Sequence, residues 1–324
     1  MKISIIIPCY NEEEVIEETY KEVKEVLVKN RYNYEIIFVD DGSKDKTLEI
    51  LRNIVEKDDR VKVISFSRNF GHQAAVSAGI KNCSGDVAII IDADLQDPPT
   101  LIPEMVRLHR EQGANVVYGV RKERKGEGFF KKFTAKLFYR LLNALSDVKF
   151  PLDTGDFRLI DKKVIEEFKK LKERDKYIRG LISWMGFKQI PIYYDRNPRL
   201  AGKTKYPLKK MIKFALTGIL YFSDKPLKLA TTIGFITTLV GLVLAAYVVV
   251  IKVINSSQVI SGWASTMITI IFLGGVQLLT LGIIGRYIGN IFDEVKGRPE
   301  YIVNKVITKK DKKTQKPRGK LSNR

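Results

Sequence analysis

The chain has 324 residues, more than one compact core usually holds, so a soluble domain with an appended part is expected. Lysine and arginine number 56 against 37 acidic residues, a net charge of +19. Two cysteines, Cys9 and Cys83, and two histidines exclude a disulfide framework and a His-rich metal site. The basic residues track apolar runs rather than an aromatic groove, which disfavours a nucleic-acid partner.

The opening MKISIIIPCYNEEE carries one lysine and a short apolar run, unlike a secretory leader, so the first half is expected to stay where it is made. Five strands are predicted, at residues 3–8, 34–40, 61–67, 87–92 and 116–120, with helical patterns between them. Val15, Ile16, Tyr20, Val23 and Leu27, for example, recur at helical spacing. Strand–helix alternation implies βαβ units, hence an α/β domain with a mainly parallel sheet over residues 1–206. There is no glycine-rich dinucleotide fingerprint. Gly202-Lys203-Thr204 fails as a phosphate loop because Asn197 stands where its first glycine belongs.

Residues 129–145 (FFKKFTAKLFYRLLNAL) read as a basic amphipathic helix, suited either to a lipid surface or to covering the sheet. Residues 207–228 form an amphipathic juxtamembrane segment. Two apolar stretches follow, at about 229–251 and 266–286, each long enough to cross a bilayer. Lysines and arginines flank the pair on its outer sides, and the connecting loop is uncharged. The positive-inside tendency then places both termini and the α/β half in the cytoplasm, on a plasma or ER-type membrane. Residues 289–324 read as a basic cytoplasmic tail, its end (KKDKKTQKPRGKLSNR) too polar to fold. Gly285 and Gly289 fit close helix packing, either within the hairpin or between copies of the chain.

Three predicted strands end in acidic or polar residues, which in a parallel sheet share one edge. After the first come Pro8, Tyr10 and Glu12, and after the second Asp40-Asp41-Gly42-Ser43. The fourth strand ends in Asp92-Ala93-Asp94. Carboxylates at this edge suit Mg²⁺ or Mn²⁺ shared with substrate phosphates. Blander roles stand beside this one: Asn11 as a helix cap, Asp41-Gly42-Ser43 as a turn and cap, and Asp92 and Asp94 as a chain entering solvent.

The segments IIIPCYNEEEVI, VDDGSKDKT, SFSRNFGHQAAVSAGI, DADLQDPP, TGDFRLID and RLAGKTKYPLKKM together resemble a family 2, GT-A-fold glycosyltransferase. More narrowly they are similar to the polyprenyl-phosphate enzymes, the dolichol-phosphate mannose synthases and bactoprenol glucosyltransferases. The R-N-F-G-x-x-A-A form and the two-span end are closer to the second group. That resemblance implies a nucleotide-sugar donor, UDP-linked, with GDP-mannose as the alternative. It implies a dolichyl or undecaprenyl phosphate acceptor and Mg²⁺ or Mn²⁺. An inactive membrane scaffold is a remote third reading, which the intact acidic set opposes.

By motif position, Asp94 and Gln96 would hold the metal, and Asp92 and Ala93 would line the donor. Pro8, Tyr10, Glu12 and Asp41 would bind the nucleoside, and Asp156 would stand beside the transferred sugar. A lipid phosphate has its second pKa near about 6 and is largely dianionic at neutral pH. It needs no strong base, so Asp156 is expected to orient groups rather than take a proton. The greater obstacle is an anionic acceptor meeting an anionic donor, which fixed cations would relieve. Candidates are Arg121, Arg124, Lys125 and Lys131, with Arg199, Lys203 and Lys205 further on. The glycines at 126 and 128 would suit a mobile lid.

Overall fold

The computed structural model describes residues 1–121, 154–173, 176–195, 225–254 and 262–309. These fall into two compact units, one of residues 1–121, 154–173, 176–195 and 299–309, and one of residues 225–254 and 262–298.

The first unit is built on β1 (Lys2–Cys9), whose run of isoleucines is buried on both faces, as a central parallel strand requires. It is followed by α1 (Ile16–Lys29), β2 (Asn33–Asp40), α2 (Thr47–Lys57), β3 (Val61–Phe66), α3 (His72–Asn82) and β4 (Val87–Ile90). Then come α4 (Ile102–Gln112), β5 (Val116–Arg121), β6 (Thr154–Asp161), α5 (Lys162–Lys170), α6 (Ile178–Trp184), β7 (Gln189–Tyr194) and β8 (Val303–Ile307). Among the described residues the sheet order is β7-β5-β6-β4-β1-β2-β3-β8.

All five predicted strands are present. β1 pairs in parallel with β2 and β4, with Cys9 opposite Asp40 and Ile6 opposite Ile90. The ladder of β4 stops at Ile90, although the Ile91 N–H still donates to the Ile6 carbonyl. α1 buries Ile16, Thr19, Val23 and Leu27 at helical spacing against this core. α3 lies close on β1: a Cβ on Gly79 would come within 2.2 Å of the Ile6 side chain. α5 starts where the Asp161 side chain accepts from the Val164 N–H at 3.0 Å, an ordinary helix cap.

Two strands run against the rest. β6 is antiparallel to both β4 and β5, and β8 is antiparallel to β3. β8 corrects the expectation of a tail over 289–324. Residues 303–307 instead complete the sheet, because Val303 and Val306 pair with β3 and supply an edge strand. Residues 310–324 lie outside those described.

The second unit is a helical hairpin, α7 (Lys225–Ile254) packed against α8 (Trp263–Val295). With 30 and 33 residues they run past the predicted spans, and α8 takes the first residues of the expected tail. Both are long and apolar enough to cross a membrane: Leu227–Leu244 has mean hydropathy 1.9 and Thr269–Val295 has 1.6. Phe235, Val243, Ile271 and Leu278 face outward, which water would penalise and lipid would not. Thr231, Thr237 and Thr280 return their hydroxyls to the carbonyls of Leu227, Ile233 and Val276, so no hydroxyl of these three seeks water. The segment expected at 129–145 lies outside the described residues, as does the juxtamembrane segment of 207–228 up to residue 224; its last four residues, 225–228, open α7.

Candidate active site

The parallel sheet brings the ends of β1, β2 and β4 to one edge, and their loops are sewn to one another. The Asn11 N–H donates to Ser43 Oγ at 3.0 Å, and Asn11 Oδ1 accepts from the Lys44 N–H at 2.8 Å. The Glu12 N–H donates to Thr47 Oγ1 at 2.8 Å. Asn11 is therefore a loop tie and not the cap of α1. It holds a positive φ of 53°, strained for a residue with a side chain. Asp40 accepts from the Ser43 N–H and the Ser65 hydroxyl. Asp41 accepts from the N–H groups of Phe70 and Gly71 at 2.6 and 2.9 Å. Burial raises its carboxyl pKa, and those two donors moderate the rise. Gly42 has φ 68°, and a Cβ there would sit 2.5 Å from the Arg68 carbonyl carbon, so the β3 loop closes on it. Pro8 is buried within β1, whereas Tyr10 and Glu12 are half-buried at the edge.

The loop after β4 carries the paired aspartates. Ala93 is buried, and its carbonyl accepts from the Thr19 hydroxyl of α1 at 2.7 Å. Asp94 Oδ1 accepts from the Gln96 N–H at 3.2 Å, around Leu95 at a positive φ of 54°. Asp92 Oδ1 and Gln96 Oε1 are buried without a hydrogen-bond partner among the described residues. Orphaned buried acceptors carry a desolvation cost that a cation would relieve. The described residues hold no cluster of three or more His, Cys, Asp or Glu able to bind a metal. The two orphaned oxygens, Asp92 Oδ1 and Gln96 Oε1, are ligands of the kind Mg²⁺ or Mn²⁺ takes, ions that complete their coordination with water and substrate phosphate.

Asp156 lies on β6 at the centre of a charged cluster. Arg179 grips it with a fork, Nε to Oδ1 at 2.7 Å and Nη2 to Oδ2 at 3.2 Å, while Nη1 donates to the Thr154 carbonyl at 2.8 Å. Gln73 Nε2 donates to Oδ2 at 3.1 Å, and His72 Nε2 lies 3.0 Å from the same oxygen. His72 Nε2 is also 3.7 Å from Asp92 Oδ1, so the imidazole links the two aspartates. Burial alone would raise the Asp156 pKa, but Arg179 and His72 outweigh it and hold the carboxyl well below the usual range. Burial likewise disfavours a charged His72, yet Asp92 and Asp156 prevail and raise its pKa to about 9. Burial raises the Asp92 pKa, and His72 opposes that rise.

Arg121 ends β5, with Nε 3.5 Å from the Tyr194 hydroxyl and Nη2 3.7 Å from Asp97 Oδ1. Tyr194 in turn donates to Asp97. A Cβ on Gly155 would meet Arg121 Nη2 at 2.9 Å, so the glycine before Asp156 leaves space for the guanidinium. Arg124, Lys125, Lys131, Arg199, Lys203, Lys205 and the glycines at 126 and 128 lie outside the described residues. Sequence reasoning did not single out His72, Gln73, Thr19 or Arg179. His72 and Gln73 sat inside a quoted motif, where Gly71-His72 before a helical run was the available signal. Arg179, within an apolar helix, offered none.

Residues 4–169 match the family described as Glycosyl transferase family 2, and residues 225–291 match the GtrB C-terminal hairpin. The glycosyltransferase YkcC of Bacillus subtilis (strain 168) is 53% identical over 94% of each chain. The SfII prophage-derived bactoprenol glucosyl transferase of Shigella flexneri is 40% identical over 94% of this chain and 98% of its own. The chain belongs to glycosyl transferase family 2. A further relative, glycosyltransferase sll0501 of Synechocystis sp. (strain ATCC 27184 / PCC 6803 / Kazusa), is 46% identical over 94% of this chain and 95% of its own.

This family 2 glycosyltransferase has a GT-A-like domain of mainly parallel sheet and two long apolar helices forming the hairpin. Its carboxylates divide by environment. Asp156, ionised and saturated by donors, is a poor proton acceptor and a rigid anionic post. Gln96 Oε1 and Asp92 Oδ1 have no hydrogen-bond partner among the described residues, although His72 Nε2 stands 3.7 Å from Asp92 Oδ1. Arg179 and His72 stand against Asp156, and Arg121 stands against Asp97.

Proposed function

We propose that the chain is a membrane-bound inverting hexosyltransferase that moves a sugar from a nucleotide diphosphate, UDP-glucose first among candidates, to a polyprenyl phosphate. The observation that carries this reading is the match, hairpin included, to relatives named bactoprenol glucosyl transferases. The cytoplasmic placement of the catalytic half rests on the basic flanks of the hairpin. The described half of the site supports a donor-binding edge.

In this reading Tyr10 and Glu12 contact the nucleoside, with Pro8 and Asp41 shaping the wall behind them. Asp94 and Gln96 hold Mg²⁺ or Mn²⁺ and Asp92 supports it. The ion supplies charge neutralisation at the departing diphosphate. Asp156, fixed by Arg179 and Gln73, orients sugar hydroxyls and does not deprotonate the acceptor, whose phosphate is already an anion. Arg121, with Arg124, Lys131, Arg199, Lys203 and Lys205, draws that phosphate in and screens it from the donor.

The test is transfer of labelled sugar to polyprenyl phosphate by detergent-purified protein, comparing UDP-glucose with GDP-mannose, with and without EDTA. Product from UDP-glucose alone, abolished by EDTA and lowered at least about a hundredfold in Asp94→Ala, is the expected result. Product from GDP-mannose alone would reassign the donor. No metal-dependent nucleotide binding at all would overturn the reading in favour of an inactive scaffold.

A further inference from the structure

We propose that Glu300, on the segment following the second hairpin helix, is a positioning residue of the transfer site, tying α3 to the stretch that carries Arg179. The inference rests on the transfer reaction proposed above. One oxygen, Glu300 Oε2, accepts from Ser77 Oγ at 2.9 Å, Lys81 Nζ at 3.3 Å and Lys176 Nζ at 3.2 Å. Ser77 and Lys81 lie on α3, the helix that begins with His72 and Gln73. Lys176 stands two residues before Ile178, whose N–H donates to Gln73 Oε1 at 3.0 Å. The next residue, Arg179, grips Asp156. Glu300 therefore closes a loop of contacts that runs through α3, Gln73, Ile178 and Arg179 to Asp156.

The anchor itself is fixed to the sheet. Tyr301 stacks on Phe66 with ring centroids 4.8 Å apart, and the Ser67 N–H donates to the Ile302 carbonyl at 3.0 Å. β8 then pairs with β3. The side chains of Lys176 and Glu300 are only 2% and 9% exposed, whereas that of Lys81 is 30% exposed. Without the carboxylate Lys81 can turn to water, whereas the buried Lys176 ammonium keeps only the Glu173 carbonyl and reaches water only if its backbone moves. That movement would shift Ile178 and Arg179, and with them the fork on Asp156.

The experiment uses the full chain in detergent: wild type, Glu300→Gln and Lys176→Met. Transfer kinetics would be read beside hydrogen–deuterium exchange of peptides covering residues 72–82 and 176–184. We expect Glu300→Gln to lower kcat about tenfold to a hundredfold with donor KM moved less than about threefold. Exchange should rise at 176–184 and at the start of α3 while β1 and β2 stay protected. A merely structural role would instead lower thermal stability and raise exchange across the sheet with kcat intact. If Glu300→Gln does not fold, Lys176→Met carries the same expectation. A folded variant with kcat within about twofold of wild type and unchanged exchange at 176–184 overturns the proposal. If the wild type transfers no sugar, the functional reading fails, and the exchange pattern alone decides for or against the clamp.

Discussion

Four hydrogen-bond contacts converge on the Asp156 carboxylate, and their geometry decides its chemistry more than its motif does. A carboxylate gripped by a guanidinium fork stays ionised and still, which suits orientation and not proton removal. Breaking a buried ion pair costs about 3–5 kcal/mol, so Arg179→Ala would lower stability as well as activity. Arg179→Lys separates the two effects, since it keeps the charge and loses the fork. We expect this variant to retain donor binding by titration calorimetry while kcat falls about tenfold to a hundredfold. An unchanged kcat would assign Arg179 to folding alone. The residues that hold this arrangement were invisible in the sequence because their partners are 23 to 105 positions away.

Among the elements, the predicted parallel strands were legible because apolar β-branched runs such as ISIII and VAIII have one comfortable location, inside a covered sheet. β6 was not predicted as a strand. Its alternate residues Thr154, Asp156 and Arg158 are polar and yet buried, so its pattern imitates a half-exposed segment. β8 was read as tail because Lys296 to Arg324 is dominated by basic residues, and a mostly exposed edge strand needs only its backbone to pair. The opposite end of the sheet from the site offers a test of pH linkage. Burial pushes Glu35 up, but donors from Ser4, Ser84 and Lys2 outweigh it and hold the carboxyl below its ordinary value. A lowered folded pKa gives stability that is present above the unfolded value, about 4.3, and lost as pH falls through the folded one. Glu35→Gln should therefore flatten the acid limb of a Tm-against-pH curve below about pH 5 and leave transfer activity near wild type. An unaltered acid limb would count against the linkage.

For the whole molecule, charge and hydropathy govern placement. α7 and α8 expose apolar side chains along their length, and a bilayer is the solvent in which that costs least. The orientation proposed from the flanking lysines can be tested directly. Both native cysteines are free and buried, so an introduced thiol is a clean reporter. Ser256→Cys, in the connecting loop, should react with an impermeant maleimide on intact cells, whereas Lys309→Cys should react only after lysis. The reverse pattern would invert the topology and place the donor edge on the wrong side for a cytoplasmic nucleotide sugar.

Local composition alone determined the parallel strands, the hairpin and the acidic edge, because each depends on side chains close together in the sequence. Tertiary structure decided which carboxylate is gripped by a guanidinium fork and which keeps an oxygen without a hydrogen bond. It also decided that Asn11 ties loops, that residues 303–307 return to the sheet, and that Glu300 reaches both α3 and Lys176. Those outcomes depend on partners brought together across the fold, whose cost or gain arises only once burial removes the water they would otherwise bind.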